Sequence, residues 1–250
     1  MIRWNWIFVD RPADRFDEAF TFWTAISGTR LSRRHGEFGE FATLEPTPGD
    51  AYVAAQAVGG AGGAHLDIDV EDLDRARRTA RDLGATLVAD HDTWSLVHSP
   101  SGLAFCLTSG DGSHIPAPVT GPEGDRSRVD QLCLDIPPSA YAAETEFWAA
   151  LTGWPVQRTG RPEFTRLLVP TRLPVRILMQ RVGAEQEPAA HIDIACADIE
   201  TTAAWHESLG ARRVRRGAHW WVMRDPVGVT YCLTGRDPLT GKVSRRTADR

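Results

Sequence analysis

The chain opens on an apolar run over 2–9 that predicts a strand, and 10–13 reads as a turn. The period of the apolar positions then changes. Phe16, Phe20, Trp23 and Ile26 fall on one helical face, which predicts a helix over 14–27 with Asp14 as its N-cap and Gly28 as its stop. Strands are predicted over 38–44 and 51–58. After the glycine-rich stretch 59–63 the pattern restarts, with an alternating strand over 65–70. A helix capped at Asp72 runs through Leu73, Ala76, Ala80 and Leu83 and stops at Gly84. Strands over 86–89, 94–98 and 103–108 close the first half. The reading is α+β, strand–helix–strands twice over.

The second half repeats the first. Phe22, Trp23 and Gly28 return as Phe147, Trp148 and Gly153, offset by 125 residues. The run from His65 to Ile68 returns from His191 to Ile194, that from Leu83 to Ala85 returns from Leu209 to Ala211, and that from Phe105 to Thr108 returns from Tyr231 to Thr234, all offset by 126. Blocks in one order at one spacing, with a period too long for a solenoid, mean two duplicated domains and four modules in all. The boundaries expected are 1–110 for the first domain, 111–127 for a Gly-, Pro- and Asp-rich linker, 128–235 for the second domain and 236–250 for a flexible tail.

Composition adds exclusions. A net charge of −5 with scattered basic residues gives neither a nucleic-acid footprint nor a membrane patch. Lys242 is the only lysine among 28 basic residues, a bias attributed to a GC-rich genome. No signal peptide or membrane span is read, and Cys106, Cys133, Cys196 and Cys232 lack Cys-x-x-Cys spacing, so buried free thiols in a cytoplasmic protein are expected. The stretch 59–63 precedes a strand and lacks the Lys-Ser/Thr ending of a phosphate loop, so it reads as a hinge. No Gly-x-Ser-x-Gly elbow is present.

The Phe-Trp of each first helix, the His65 to Leu73 run, the Leu-Gly-Ala blocks and the closing segments from Pro100 and from Asp225 together resemble the vicinal oxygen chelate superfamily. That superfamily includes glyoxalase I, extradiol dioxygenases, and fosfomycin- and bleomycin-resistance proteins. The resemblance, nearest to the tandem glyoxalase-like proteins, implies two domains, each of two βαβββ modules forming a curved sheet around a cleft. It further implies a divalent metal held from four places. Here those places carry Trp4 or Trp6, Gln56, His65 and Cys106 in the first half, and Val129 or Gln131, Gln180, His191 and Cys232 in the second. Each set keeps one His, has Cys for the terminal carboxylate and a neutral amide at a third place. The sites therefore read as degenerate, with no metal and no other cofactor expected.

The cleft still carries chemistry. His65 with Asp67, and His191 with Asp193, lie two apart on a strand and share a face. They are candidate acid–base pairs if the protein is an enzyme, polar anchors if it binds, or inherited strand polarity if neither. Trp4, Trp6 and Phe8 fall on the same concave face, with Trp94 beside them and Trp220 at the matching place of the second half. Trp23 and Trp148 lie on the helical core stripe instead. The leading expectation is a protein that binds or sequesters an aromatic or amphipathic small molecule through the residues named, chiefly in the first half. The alternative is a lyase, isomerase or dioxygenase-type enzyme, metal-dependent through an atypical site or metal-free on the His–Asp pairs. A scaffold with filled clefts is the third. Because duplication supplies the module pairing in one chain, a monomer is expected, without nucleic-acid or membrane partners. The arginine run from Arg212 to Arg216 reads as solvated surface able to hold an anion.

Overall fold

The computed structural model of the chain describes residues 1–243; the part of the expected tail at 244–250 lies outside the described residues. The first half runs β1 (Ile2–Pro12), α1 (Phe16–Ser27), β2 (Arg30–Leu31), β3 (Phe41–Glu45), β4 (Val53–Val58), β5 (Gly63–Val70), α2 (Leu73–Asp82), β6 (Thr86–Asp90), β7 (Trp94–His98) and β8 (Ala104–Thr108). The short β9 (Val119–Thr120) follows in the connection. The second half repeats the order as β10 (Arg126–Ile136), α3 (Tyr141–Thr152), β11 (Val156–Arg158), β12 (Phe164–Leu167), β13 (Arg176–Arg181), β14 (Ala189–Cys196), α4 (Ile199–Ser208), β15 (Arg212–Arg216), β16 (Trp220–Arg224) and β17 (Thr230–Gly235).

Each half makes one mixed sheet. The strand orders are β2-β3-β4-β1-β5-β8-β7-β6 and β11-β12-β13-β10-β14-β17-β16-β15, so the duplication extends to topology. It also extends to register. Thr86 faces His98 and Ala89 faces Leu96 across a bulge, and Arg212 faces Arg224 and Arg215 faces Val222 across the same bulge. The parallel pairs match too, Asp67 opposite Cys106 and Asp193 opposite Cys232.

Several boundaries differ from the sequence reading. Asp14 does not cap α1: a 3-10 turn over Ala13–Arg15 precedes the helix, Arg15 takes the cap position, and no side chain caps it. Gly28 ends α1 as expected, at φ 62°. Strand β1 runs three residues beyond Val9 to Pro12, where the Arg11 side chain enters a buried ion pair. Strand β3 begins at Phe41, because His35 bridges Phe41 and leaves Phe38 exposed at the turn between them. Asp72 caps α2 by accepting the Arg75 backbone N–H.

Contacts gather the chain into two compact units, one of residues 1–8, 64–114 and 132–190, the other of 9–63, 115–131 and 191 onward. In the first, Phe105, Phe147 and Trp148 form an aromatic core with centroids 4.9–6.0 Å apart. Trp148 donates its indole N–H to the fully buried Glu144, whose other oxygen accepts the Ser101 backbone N–H. In the second unit Trp23 donates to Asp225 at 3.1 Å, and the buried Arg11 donates to the same oxygen at 2.6 Å with its guanidinium 5.0 Å from the Trp23 ring. The two tryptophans fall in the core, as their helical spacing requires, and each indole N–H ends on a buried carboxylate. All four cysteines are buried, and none forms a disulfide among the described residues. No helix among the described residues is long and apolar enough to cross a membrane.

Candidate functional site

Period-two alternation on β5 puts Leu66 and Ile68, both 1% exposed, on one face and His65, Asp67 and Asp69 on the other. The parallel register then sets Cys106 of β8 beside Asp67. The result is a group that spacing alone does not reveal. His65, Asp67 and Cys106 each bring one ligand atom within 4.8 Å of the others, and His65 Nε2 stands 3.5 Å from Asp67 Oδ1. Phe8 of β1 stacks on the His65 imidazole, centroids 4.7 Å apart and planes 23° apart, which holds the ring in one orientation.

One step further along β5, Asp69 accepts the Trp6 indole N–H at 2.8 Å and the Thr108 hydroxyl at 2.6 Å. The segment after β8 closes over this point. A Cβ on Gly110 would stand 2.6 Å from the Asp69 carboxylate, and one on Gly112 would stand 2.5 Å from the Trp4 indole. Backbone therefore lies directly on both groups, and Trp4 is fully buried beneath it. Gly112→Ala is expected to lower stability by about 1–3 kcal/mol, since an inserted methyl must displace a packed indole. A shift of the urea midpoint with an unchanged slope is the corresponding observation; an unaltered midpoint would contradict this packing.

The remaining candidates are distributed as follows. Trp6 and Phe8 are partly exposed. Gln56 lies on β4 opposite Phe41, and Trp94 stacks on His91 at 4.2 Å. In the second half His191 Nε2 stands 3.4 Å from Asp193 Oδ1, and Gln131 donates to the other oxygen of that carboxylate. Gln180 accepts from the Cys133 thiol at 3.8 Å, Cys232 is buried opposite Asp193, and Trp220 is half-buried.

Sequence reasoning also missed Arg236. It follows β17 at the place that Gly110 holds in the first half, and its guanidinium is buried in a two-point pair with Asp130 at 2.7 and 3.0 Å. The signal was legible: a lone Arg directly after an apolar strand where the other copy has Gly. A small cavity elsewhere, about 30 Å³ between Ser27, Leu44, Tyr52 and Arg128, has room for roughly two waters and touches Val129 alone of the candidate positions.

The donor set permits a test of whether a metal fits. Imidazole nitrogen, carboxylate oxygen and thiolate sulfur together suit a borderline ion such as zinc, and three protein donors leave a position for water or substrate. The family's four-place set is degenerate here, at Gln56 and Trp4 or Trp6, but a different three-donor set remains. The expectation of no cofactor counted His65 and Cys106; Asp67 is the donor it left out.

Comparison with known proteins bears on the fold and the family. A search of curated proteins gives no significant match. Among solved structures, 2,2',3-trihydroxybiphenyl 1,2-dioxygenase from Sphingomonas wittichii RW1 superposes with a TM-score of 0.63 at 15% identity, over 94% of this chain and 90% of that one. The Mn(II)-bound glyoxalase from Novosphingobium aromaticivorans gives 0.63 at 16%, over 97% and 85%. A catechol 2,3-dioxygenase gives 0.62 at 13%, over 99% and 97%. Identities this low establish the fold alone. The profile of the glyoxalase-like domain matches twice, over residues 6–108 and 131–234. The chain therefore belongs to the glyoxalase-like family of the vicinal oxygen chelate superfamily, as a tandem pair of such domains with degenerate metal sites.

Proposed function

We propose that this protein is an enzyme of the lyase or isomerase type, acting on a small oxygenated, aromatic-bearing molecule at His65, Asp67 and Cys106. The observation that carries this reading is the convergence of these three donors on one face of the first sheet. It moves the enzyme reading ahead of simple sequestration, which needs no such convergence. Enzymes are known on this fold: two structural neighbours are dioxygenases of hydroxylated aromatics by name and one is a Mn(II)-bound glyoxalase. One histidine beside a cysteine sulfur departs from the two-histidine, one-carboxylate set of oxygen-activating iron sites, which favours non-redox chemistry.

His65, Asp67 and Cys106 would hold the ion, which when bound supplies Lewis acidity to a carbonyl or hydroxyl oxygen of the substrate. Phe8 keeps the His65 ring in plane, and the partly exposed faces of Phe8 and Trp6 offer a stacking wall for a flat substrate. Trp6 is itself tied to Asp69, so the wall is rigid. The second half differs at the corresponding places: Gln131 occupies one Asp193 oxygen and the Arg236–Asp130 pair is buried where the first half has glycine. These differences favour the first half as the working one.

Zinc loading followed by elemental analysis tests the assignment. About one equivalent per chain is expected, lost in His65→Ala and Cys106→Ser and kept in His191→Ala. No bound equivalent in the wild type would sink the metal-dependent reading. Loss in His191→Ala alone would move the site to the second half.

A further inference from the structure

The two copies diverge most sharply in charge at one place, the outer ribbon of the second sheet. Strand β15 is Arg212, Arg213, Val214, Arg215 and Arg216, and β16 ends at Arg224. The corresponding positions of the first half, Thr86, Leu87, Val88, Ala89, Asp90 and His98, contain no arginine. An edge strand can be kept from pairing with other chains by one or two charges, so the four arginines of β15, with Arg224 beside them on β16, exceed that need.

The ribbon separates them by face. Arg213 pairs with Glu200 at 2.9 Å and Glu207 at 3.1 Å, and Arg216 pairs with Glu200 at 2.9 Å. Both guanidinium groups lie 5.1 Å from the Trp221 ring, whose N–H also goes to Glu200. Glu200 and Glu207 belong to α4, so Arg213, Arg216 and Trp221 face the helix, and their charges are met there. Register then puts Arg212, Arg215 and Arg224 on the opposite face, since Arg212 is opposite Arg224 and Arg215 opposite Val222. All three are exposed and none makes an ion pair among the described residues. Arg212 and Arg224 face each other directly across the ladder, a like-charge arrangement that destabilises a bare ribbon.

We infer that Arg212, Arg215 and Arg224 form an anion site that takes a short oligophosphate group, two or three phosphates long. Guanidinium forks match phosphate oxygens in paired hydrogen bonds, and two facing forks need more than one negative charge between them. The patch spans about 10 Å, three residues along one strand and one strand spacing across, which suits a di- or triphosphate. The net charge of −5 on the whole chain opposes a long polyanion such as nucleic acid. This site stands on the second sheet and does not depend on the His65 centre.

Calorimetric titration with sodium tripolyphosphate at fixed ionic strength, on the metal-free chain and on its His65→Ala variant, tests it. Saturable one-to-one binding is expected in both, weakening as salt rises and at least about tenfold weaker in the triple variant R212A/R215A/R224A. These side chains are exposed and repel one another, so the variant should keep or raise its thermal midpoint, and Arg78→Ala should bind as the wild type does. Equal binding by wild type and triple variant would overturn the proposal. So would unsaturable uptake, or tighter binding of a single-stranded oligonucleotide than of tripolyphosphate.

Discussion

Asp225→Ala is expected to destabilise the protein by about 3–5 kcal/mol, because it strands a buried guanidinium. Arg11 and Asp225 are 1% and 0% exposed at their side chains and joined at 2.6 Å, and Trp23 uses the same carboxylate. Removing Asp225 deprives both donors at once. It also frees the turn after β16, where the Asp225 side chain accepts the Val229 N–H. Desolvation pulls the Arg11 guanidinium below its ordinary value, so Asp225 supplies the charge that keeps it buried. A chain of this size should lose roughly 10 °C or more of thermal midpoint. Asp225→Asn, which keeps the shape and a hydrogen-bond acceptor but not the charge, should fall between the two. Replacing Arg11 and Asp225 together with apolar residues should recover much of the loss, since no lone charge remains. Equal stability of wild type and Asp225→Ala in urea would show that the pair is not buried in solution.

Acid should unfold the protein partly through His206. This imidazole is fully buried on α4, its Nδ1 2.9 Å from the Tyr231 hydroxyl, with Phe22 edge-on at 5.6 Å. Burial lowers its pKa from 6.5 to about 3. The same burial pushes the Tyr231 phenol well above its usual range, so the phenol keeps its proton and shares one hydrogen bond with Nδ1. The neutral ring is the folded form, and the unfolded chain binds the extra proton between pH 6.5 and about 3. Stability is therefore unaffected above that window and falls as the pH drops through it, by about 3 kcal/mol at pH 4. His206→Gln keeps a polar group toward Tyr231 but does not titrate. Its loss of stability between pH 7 and 4 should be smaller than that of the wild type by this amount. Parallel curves for the two proteins would refute a depressed His206.

Much of the architecture was legible because the duplication let each half check the other. The strand over 94–98, the cap at Asp72 and the stops at Gly28 and Gly153 depend on local rules and repeat in both copies. Asp14 misled because a good capping residue still yields when the chain enters its helix through a 3-10 turn. The candidate site was legible strand by strand but not atom by atom. Asp67 beside Cys106 follows from parallel register, which no single strand encodes. Arg236 beside Asp130 joins residues 106 apart, and the sequence offers only the contrast with Gly110. The covering of Trp4 by Gly112 depends on the path of a loop, which alternation does not describe.

The make-up of the two compact units gives the duplication an unexpected meaning. Each unit draws chain from both sequence repeats: α1 is packed with the last module, and α3 with the second. The repeat visible in sequence is thus not the piece that completes itself in space. During synthesis, Arg11 at the end of β1 and Trp23 on α1 wait for Asp225, more than two hundred residues later, before their shared acceptor exists. Either repeat made alone would therefore lack part of the chain that each unit requires.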